Sequence, residues 1–178
     1  MLTPESTMKN LVIYRILAYL LLFVAAFLSA GIFLSIPAAL MAPATLLPLF
    51  LMSCIVIYTY CSWRFLVRGI DKNMVLKPSL RDLIRINGYI TLVLAGLMLF
   101  QMIVMLTQPG LINEILDQLR AAQPEGAEIT DEMLIKWTHF ILRFLTAYSA
   151  LLVVHTLLTL RMIKQYAYVF DEPADMSE

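Results

Sequence analysis

Lys136, His139 and Arg143 follow one another at spacings of three and four residues, which on a helix places them near one face. They sit inside the last long apolar run of the chain. A charged side chain within such a run is costly and marks a functional site by default. Two cations and an imidazole in a stripe would receive an anionic group such as a lipid phosphate. Gln101, in the preceding apolar run, is a polar side chain that could complete the site. Lys136, His139, Arg143 and Gln101 are therefore the candidate anionic-group or polar site. The structural alternative is that Arg143 reaches outward to pair with Asp117 or Glu114.

A second cationic set lies elsewhere. Trp63 to Arg85 holds Arg64, Arg68, Lys72, Lys77, Arg81 and Arg85, six of the thirteen basic residues. Arg15, Arg161 and Lys164 belong to other segments of the same polarity. Arg15, Arg64, Arg68, Arg81, Arg85, Arg161 and Lys164 are expected to contact anionic lipid headgroups.

Redox and hydrolytic chemistry find little support. His139 and His155 are sixteen residues apart, about 24 Å along one helix, so they cannot share one iron. Met98, Met102 and Met105 could supply other ligands, but a methionine stripe at helical spacing is ordinary packing. Cys54 and Cys61 lie about two turns apart on one face and cannot bridge each other. No His-Glu-x-x-His, Gly-x-Ser-x-Gly or phosphate-binding glycine loop occurs. No cofactor, metal or catalytic centre is expected. No acid lies deep within an apolar run, which weakens proton-coupled transport.

These residues must be positioned by membrane helices. The 178 residues are 61% hydrophobic and 15% charged, against about 25% charged in soluble domains. The formal charge is zero, which gives no reason to expect nucleic acid. A span needs about 20 apolar residues. Four runs qualify, at 11–35, 44–68, 81–107 and 134–163. The fold class is thus an all-α membrane protein, a four-transmembrane-helix bundle in a single domain over 1–178.

Local signals divide the runs. Thr3-Pro4-Glu5 reads as a helix start. Ser35 to Pro48, with three prolines and no charge, reads as a short turn. Gly69 reads as a left-handed helix terminator. Ser79 to Asp82 reads as the capped start of the third helix. Gln108-Pro109-Gly110 ends that helix. Apolar residues at helical spacing over 111–123 (Leu111, Ile112, Ile115, Leu116 and Leu119) predict an amphipathic extracytoplasmic helix. Pro124-Glu125-Gly126 breaks it, and Thr130 caps the last span. Asp171 to Glu178 forms an acidic tail. The positive-inside rule places both termini and the 64–85 stretch in the cytoplasm, and a multi-pass protein of the plasma (inner) membrane is expected.

An ungapped internal match suggests two repeated helical hairpins. Arg15-Ile16-Leu17-Ala18-Tyr19 corresponds to Arg85-Ile86-Asn87-Gly88-Tyr89. Tyr58-Thr59, Ser62 and Arg64 correspond to His155-Thr156, Thr159 and Arg161. Tyr58 and His155 fall at similar depth. Asn87 and Gln101 should seek interhelical hydrogen bonds, and Ala25, Ala26, Ser29, Ala30, Ala95 and Gly96 should let helices approach closely. The expected role is non-enzymatic: accessory, assembly or lipid-interacting, with anionic membrane lipid and a homo-oligomer or membrane-protein partner. The alternative is a small oligomeric transporter or channel with Arg143, His139 and Gln101 in its path.

Overall fold

The computed structural model describes residues 4–122 and 130–170, with side-chain surroundings from residue 11 onward except at Pro109. Among the described residues there is no strand. The α-helices are α1 (Pro4–Met41), α2 (Leu46–Arg64), α3 (Pro78–Thr107), α4 (Pro109–Ala121) and α5 (Asp131–Gln165). Among the described residues four stretches are long and apolar enough to cross a membrane: Leu11–Met41, Pro43–Asp71, Pro78–Thr107 and Asp131–Gln165. Helix is what lipid demands, because every backbone donor and acceptor must then be satisfied within its own segment.

Several boundaries differ from expectation, each for a local reason. The turn expected over Ser35 to Pro48 is much shorter. α1 continues through Pro37 to Met41. Pro37 removes only one helical donor, and its neighbours are good helix formers. A 3₁₀ turn at Pro43–Thr45 reverses the chain. Pro48 then sits in the first turn of α2, where backbone donors have no helical partner to lose. α3 starts at Pro78, one residue before the expected cap at Ser79. Thr130 caps α5 as expected, its Oγ1 accepting from the Met133 N–H at 3.4 Å.

Gly69 does not terminate α2 in the left-handed conformation. The helix instead widens into a π-helical segment, Phe65–Asp71. The left-handed residue is Asn73, with φ 52°. Gly69 serves close approach: a Cβ there would lie 2.8 Å from Leu76 Cδ1 and 3.1 Å from Val169 Cγ1. The basic stretch is thereby mostly helical, and only Lys72 to Lys77 lies outside helix.

The chain divides into two compact units, Met1–Leu94 with Leu152–Glu178, and Ala95–Leu151. In the first, α1 packs on α2, and Tyr14, Leu21, Tyr58, Phe65, Leu66, Ile84, Leu152 and Ile163 are buried. After α5 a 3₁₀ turn, Ala167–Phe170, docks back. Phe170 stacks on Phe65 at 5.4 Å, and the Leu76 N–H donates to the Val169 carbonyl at 2.8 Å. In the second unit Met102, Ile112, Leu116 and Leu142 form the core, with Met98, Met105, Leu134 and Leu145 packed against it. The three methionines are packing residues here, and α4 is held through Ile112 and Leu116. The break at 124–126, the acidic tail and Thr3 lie outside the described residues.

Candidate functional site

The first candidate set lies within the second unit. Lys136 is exposed and pairs with Glu132 at 2.7 Å, one turn earlier. It lines a shallow groove with Trp137 and Phe140. His139 is half-buried and Arg143 exposed. Asp117, expected as a partner of Arg143, is instead bound by Arg120 at 2.8 Å. Arg120 also reaches Asp131 at 3.0 Å. The Asp131 and then the Asp117 carboxylate hold its guanidinium above the usual arginine range. Gln101 is exposed and lines a groove with Leu97, Phe100, Val104, Met105 and Leu111. Neither His139 nor Arg143 is among the walls of that groove, so the four candidates do not share one cavity there.

A denser polar constellation occurs in the first unit. Tyr58 Oη lies 2.9 Å from His155 Nδ1 and donates to Thr159 Oγ1 at 2.9 Å. Thr159 donates to the His155 carbonyl at 2.8 Å. Tyr14 Oη donates to the Ser62 carbonyl at 3.4 Å and lies 3.4 Å from Thr159 Oγ1. The Tyr14 and His155 rings stack at 5.0 Å, inclined by only 6°. All five residues are wholly buried. With the Tyr58 proton directed to Thr159, His155 donates through Nδ1–H and carries its lone pair on Nε2. That nitrogen has no partner among the described residues. The arrangement joins α1, α2 and α5 through side chains. Hydrogen bonds of this kind in membrane proteins average about 0.6 kcal/mol in coupling, so the network contributes more to register than to affinity.

Other polar residues behave differently from expectation. Asn87 donates to the Leu83 carbonyl of its own helix at 3.0 Å rather than across an interface. Ala25 and Ala95 are buried, but Ala26, Ser29, Ala30 and Gly96 are exposed, so they do not mediate close helix approach. Open space surrounds Gly96. Cys54 and Cys61 are free and buried. Among the described residues no three His, Cys, Asp or Glu side chains converge as a metal site.

No family model, curated protein or solved structure matches the chain.

The second cationic set separates into three environments. Arg15 is ion-paired with Asp71. Arg64 is half-buried and lines a cavity of about 110 Å³ with Leu76, Lys77 and Leu80. Arg81 lies 3.9 Å from Asp82, and Arg68 is exposed. Arg85, Arg161 and Lys164 converge, together with Tyr89, Leu157 and Leu160, on a groove of about 560 Å³. The spacing of Leu157, Leu160, Arg161 and Lys164 marks one helix stripe in the sequence. Their meeting with Arg85 and Tyr89 is a tertiary fact. Tyr14 was the polar residue that sequence reasoning missed, because its neighbour Arg15 already accounted for that helix end.

Proposed function

We propose that the chain is a non-enzymatic, four-span helical membrane protein with an accessory, assembly or lipid-interacting role. Both termini and the Lys72 to Lys77 turn face the cytoplasm. The observation that carries this reading is the buried Tyr14–Tyr58–His155–Thr159 network. Its hydroxyls and the His155 Nδ1 bond one another between helices instead of lining a path. That neither His139 nor Arg143 lines the Gln101 groove weighs against the transporter alternative.

The reading includes two hairpin copies, α1–α2 and α3–α5, related by a pseudo-twofold axis along the membrane normal. Burial supports it at ten paired positions. Buried Tyr14, Leu17, Ala18, Leu21 and Ala25 correspond, seventy residues on, to buried Ile84, Asn87, Gly88, Thr91 and Ala95. Buried Tyr58, Thr59, Ser62, Phe65 and Leu66 correspond, ninety-seven residues on, to His155, Thr156, Thr159, Met162 and Ile163. Tyr58 and His155, equivalent in this scheme, bond each other, as residues beside a twofold axis do.

Cross-linking and co-purification from native membranes test the role. A stoichiometric membrane-protein or lipid companion is expected. Ion or solute flux through liposomes holding the protein alone, abolished by Arg143→Gln, would instead establish the transporter. A cysteine placed at Val75 should react with a membrane-impermeant maleimide only from the cytoplasmic side.

A further inference from the structure

We propose that the groove between α3 and α5 binds the headgroup and upper acyl chain of an anionic phospholipid. The proposal rests on the lipid-interacting part of the function above and names its site. Arg85, Arg161 and Lys164 supply three cations, and no carboxylate is among the groove's walls. Among the described residues these three make no ion pair, whereas Arg15, Arg120 and Lys136 are each neutralised by an acid.

The walls are graded in polarity. Along α5 the two leucines come first, at Leu157 and Leu160, and the cations follow at Arg161 and Lys164. The seven steps from Leu157 to Lys164 cover about 10 Å of helix. Leu157 therefore lies deeper in the span, and Lys164 at the helix end. Arg85 stands near the start of α3, and Tyr89 one turn farther in. Charge at the membrane boundary with apolar surface beneath it matches an amphiphile, not a free anion. A free phosphate would use the cations and leave the leucines without a role. The exposed Tyr89 phenol is placed to donate to a phosphate or glycerol oxygen, as interfacial tyrosines do.

The other hairpin provides a comparison inside the same chain. The positions corresponding to the groove residues are Arg15, Tyr19, Tyr60, Trp63, Arg64 and Val67. There Arg15 is taken by Asp71, and Tyr60 and Trp63 pair their rings at 6.0 Å. Valine stands where the second hairpin has Lys164. One face has Arg15 neutralised and two aromatic rings beside Arg64; its counterpart keeps three cations, unpaired among the described residues, beside two smaller leucines.

The test uses the full chain, purified in neutral detergent and titrated with dioctanoyl phosphatidylglycerol, with bound lipid read by native mass spectrometry. One tightly held lipid is expected. Each cation removed, in Arg85→Gln, Arg161→Gln or Lys164→Gln, should weaken binding about fivefold, and any pair of them about twenty-five-fold. Arg15→Gln should leave binding unchanged. Arg161→Lys should retain most of it, which separates lost charge from lost fold, and thermal unfolding of each variant supplies a second check. Equal binding by the wild type and the Arg161→Gln, Lys164→Gln double variant would overturn the proposal. So would equally tight binding of dioctanoyl phosphatidylcholine. Displacement of the lipid by millimolar inorganic phosphate would show a site for free anions and overturn the amphiphile. A lost lipid with partner co-purification intact removes this site alone; a lost partner with lipid binding intact removes the accessory role alone.

Discussion

Tyr58 has two buried partners, His155 and Thr159, and its hydroxyl is the joint between α2 and α5. Tyr58→Phe keeps the ring but leaves His155 Nδ1 without a partner in a place water does not reach. The expected cost is about 1–3 kcal/mol, above the average membrane hydrogen bond because a buried group is orphaned. Equilibrium unfolding in mixed micelles measures it, and the unchanged stability of the variant would remove the network's structural importance. Glycines give a paired prediction. Gly69→Ala must displace Leu76 or Val169 and should cost about 1–3 kcal/mol. Gly96→Ala, in open space, should stay within about 0.5 kcal/mol of wild type. The sequence assigned close approach to Gly96 and a helix end to Gly69, whereas the close approach is at Gly69. The close approach at Gly69 is to Leu76 first and then to Val169, a hundred residues away.

At the scale of elements, the long helices were legible because a lipid-spanning segment leaves a run of some 20 apolar residues that nothing else needs. Their ends were less so. Pro37 reads as a breaker, yet a membrane helix tolerates proline when the lost bond is a single one. Ala167–Phe170 left no period to detect, being one turn whose Val169 and Phe170 dock on the segment after α2. α4 offers a local test. Leu116 is buried against Met102 and Leu142, while Leu119 is exposed. Leu116→Ala should cost about 2 kcal/mol or more and Leu119→Ala almost nothing. Hydrogen exchange along α4 reads this directly: faster exchange in the first variant only. Similar protection in both would mean α4 is not held by its Ile112–Leu116 side.

On the scale of the whole molecule, the candidate site was legible in part. The stripe of Leu157, Leu160, Arg161 and Lys164 is visible as spacing, but charge repeats at every membrane-facing helix end, so position alone could not rank Arg85 and Arg161 above Arg15 and Arg64. Asp71 and Trp63 make that distinction through contacts formed only on folding. The uninterrupted α1 also has a bearing on where such a chain can reside. Its apolar portion, Leu11–Met41, is 31 residues, about 46 Å of helix against a hydrocarbon core of about 30 Å. Standing upright it would push some 16 Å of greasy surface into headgroups or water. The mismatch is relieved by leaning the helix or by thickening the bilayer around it, at fractions of a kcal/mol per Å. Lengthening the acyl chains of the surrounding lipid from fourteen to about twenty carbons should therefore raise thermal stability, and Pro37 to Met41 should be the part that gains protection. On this account bilayer thickness sorts the protein among membranes, with the five residues Pro37 to Met41 acting as its gauge.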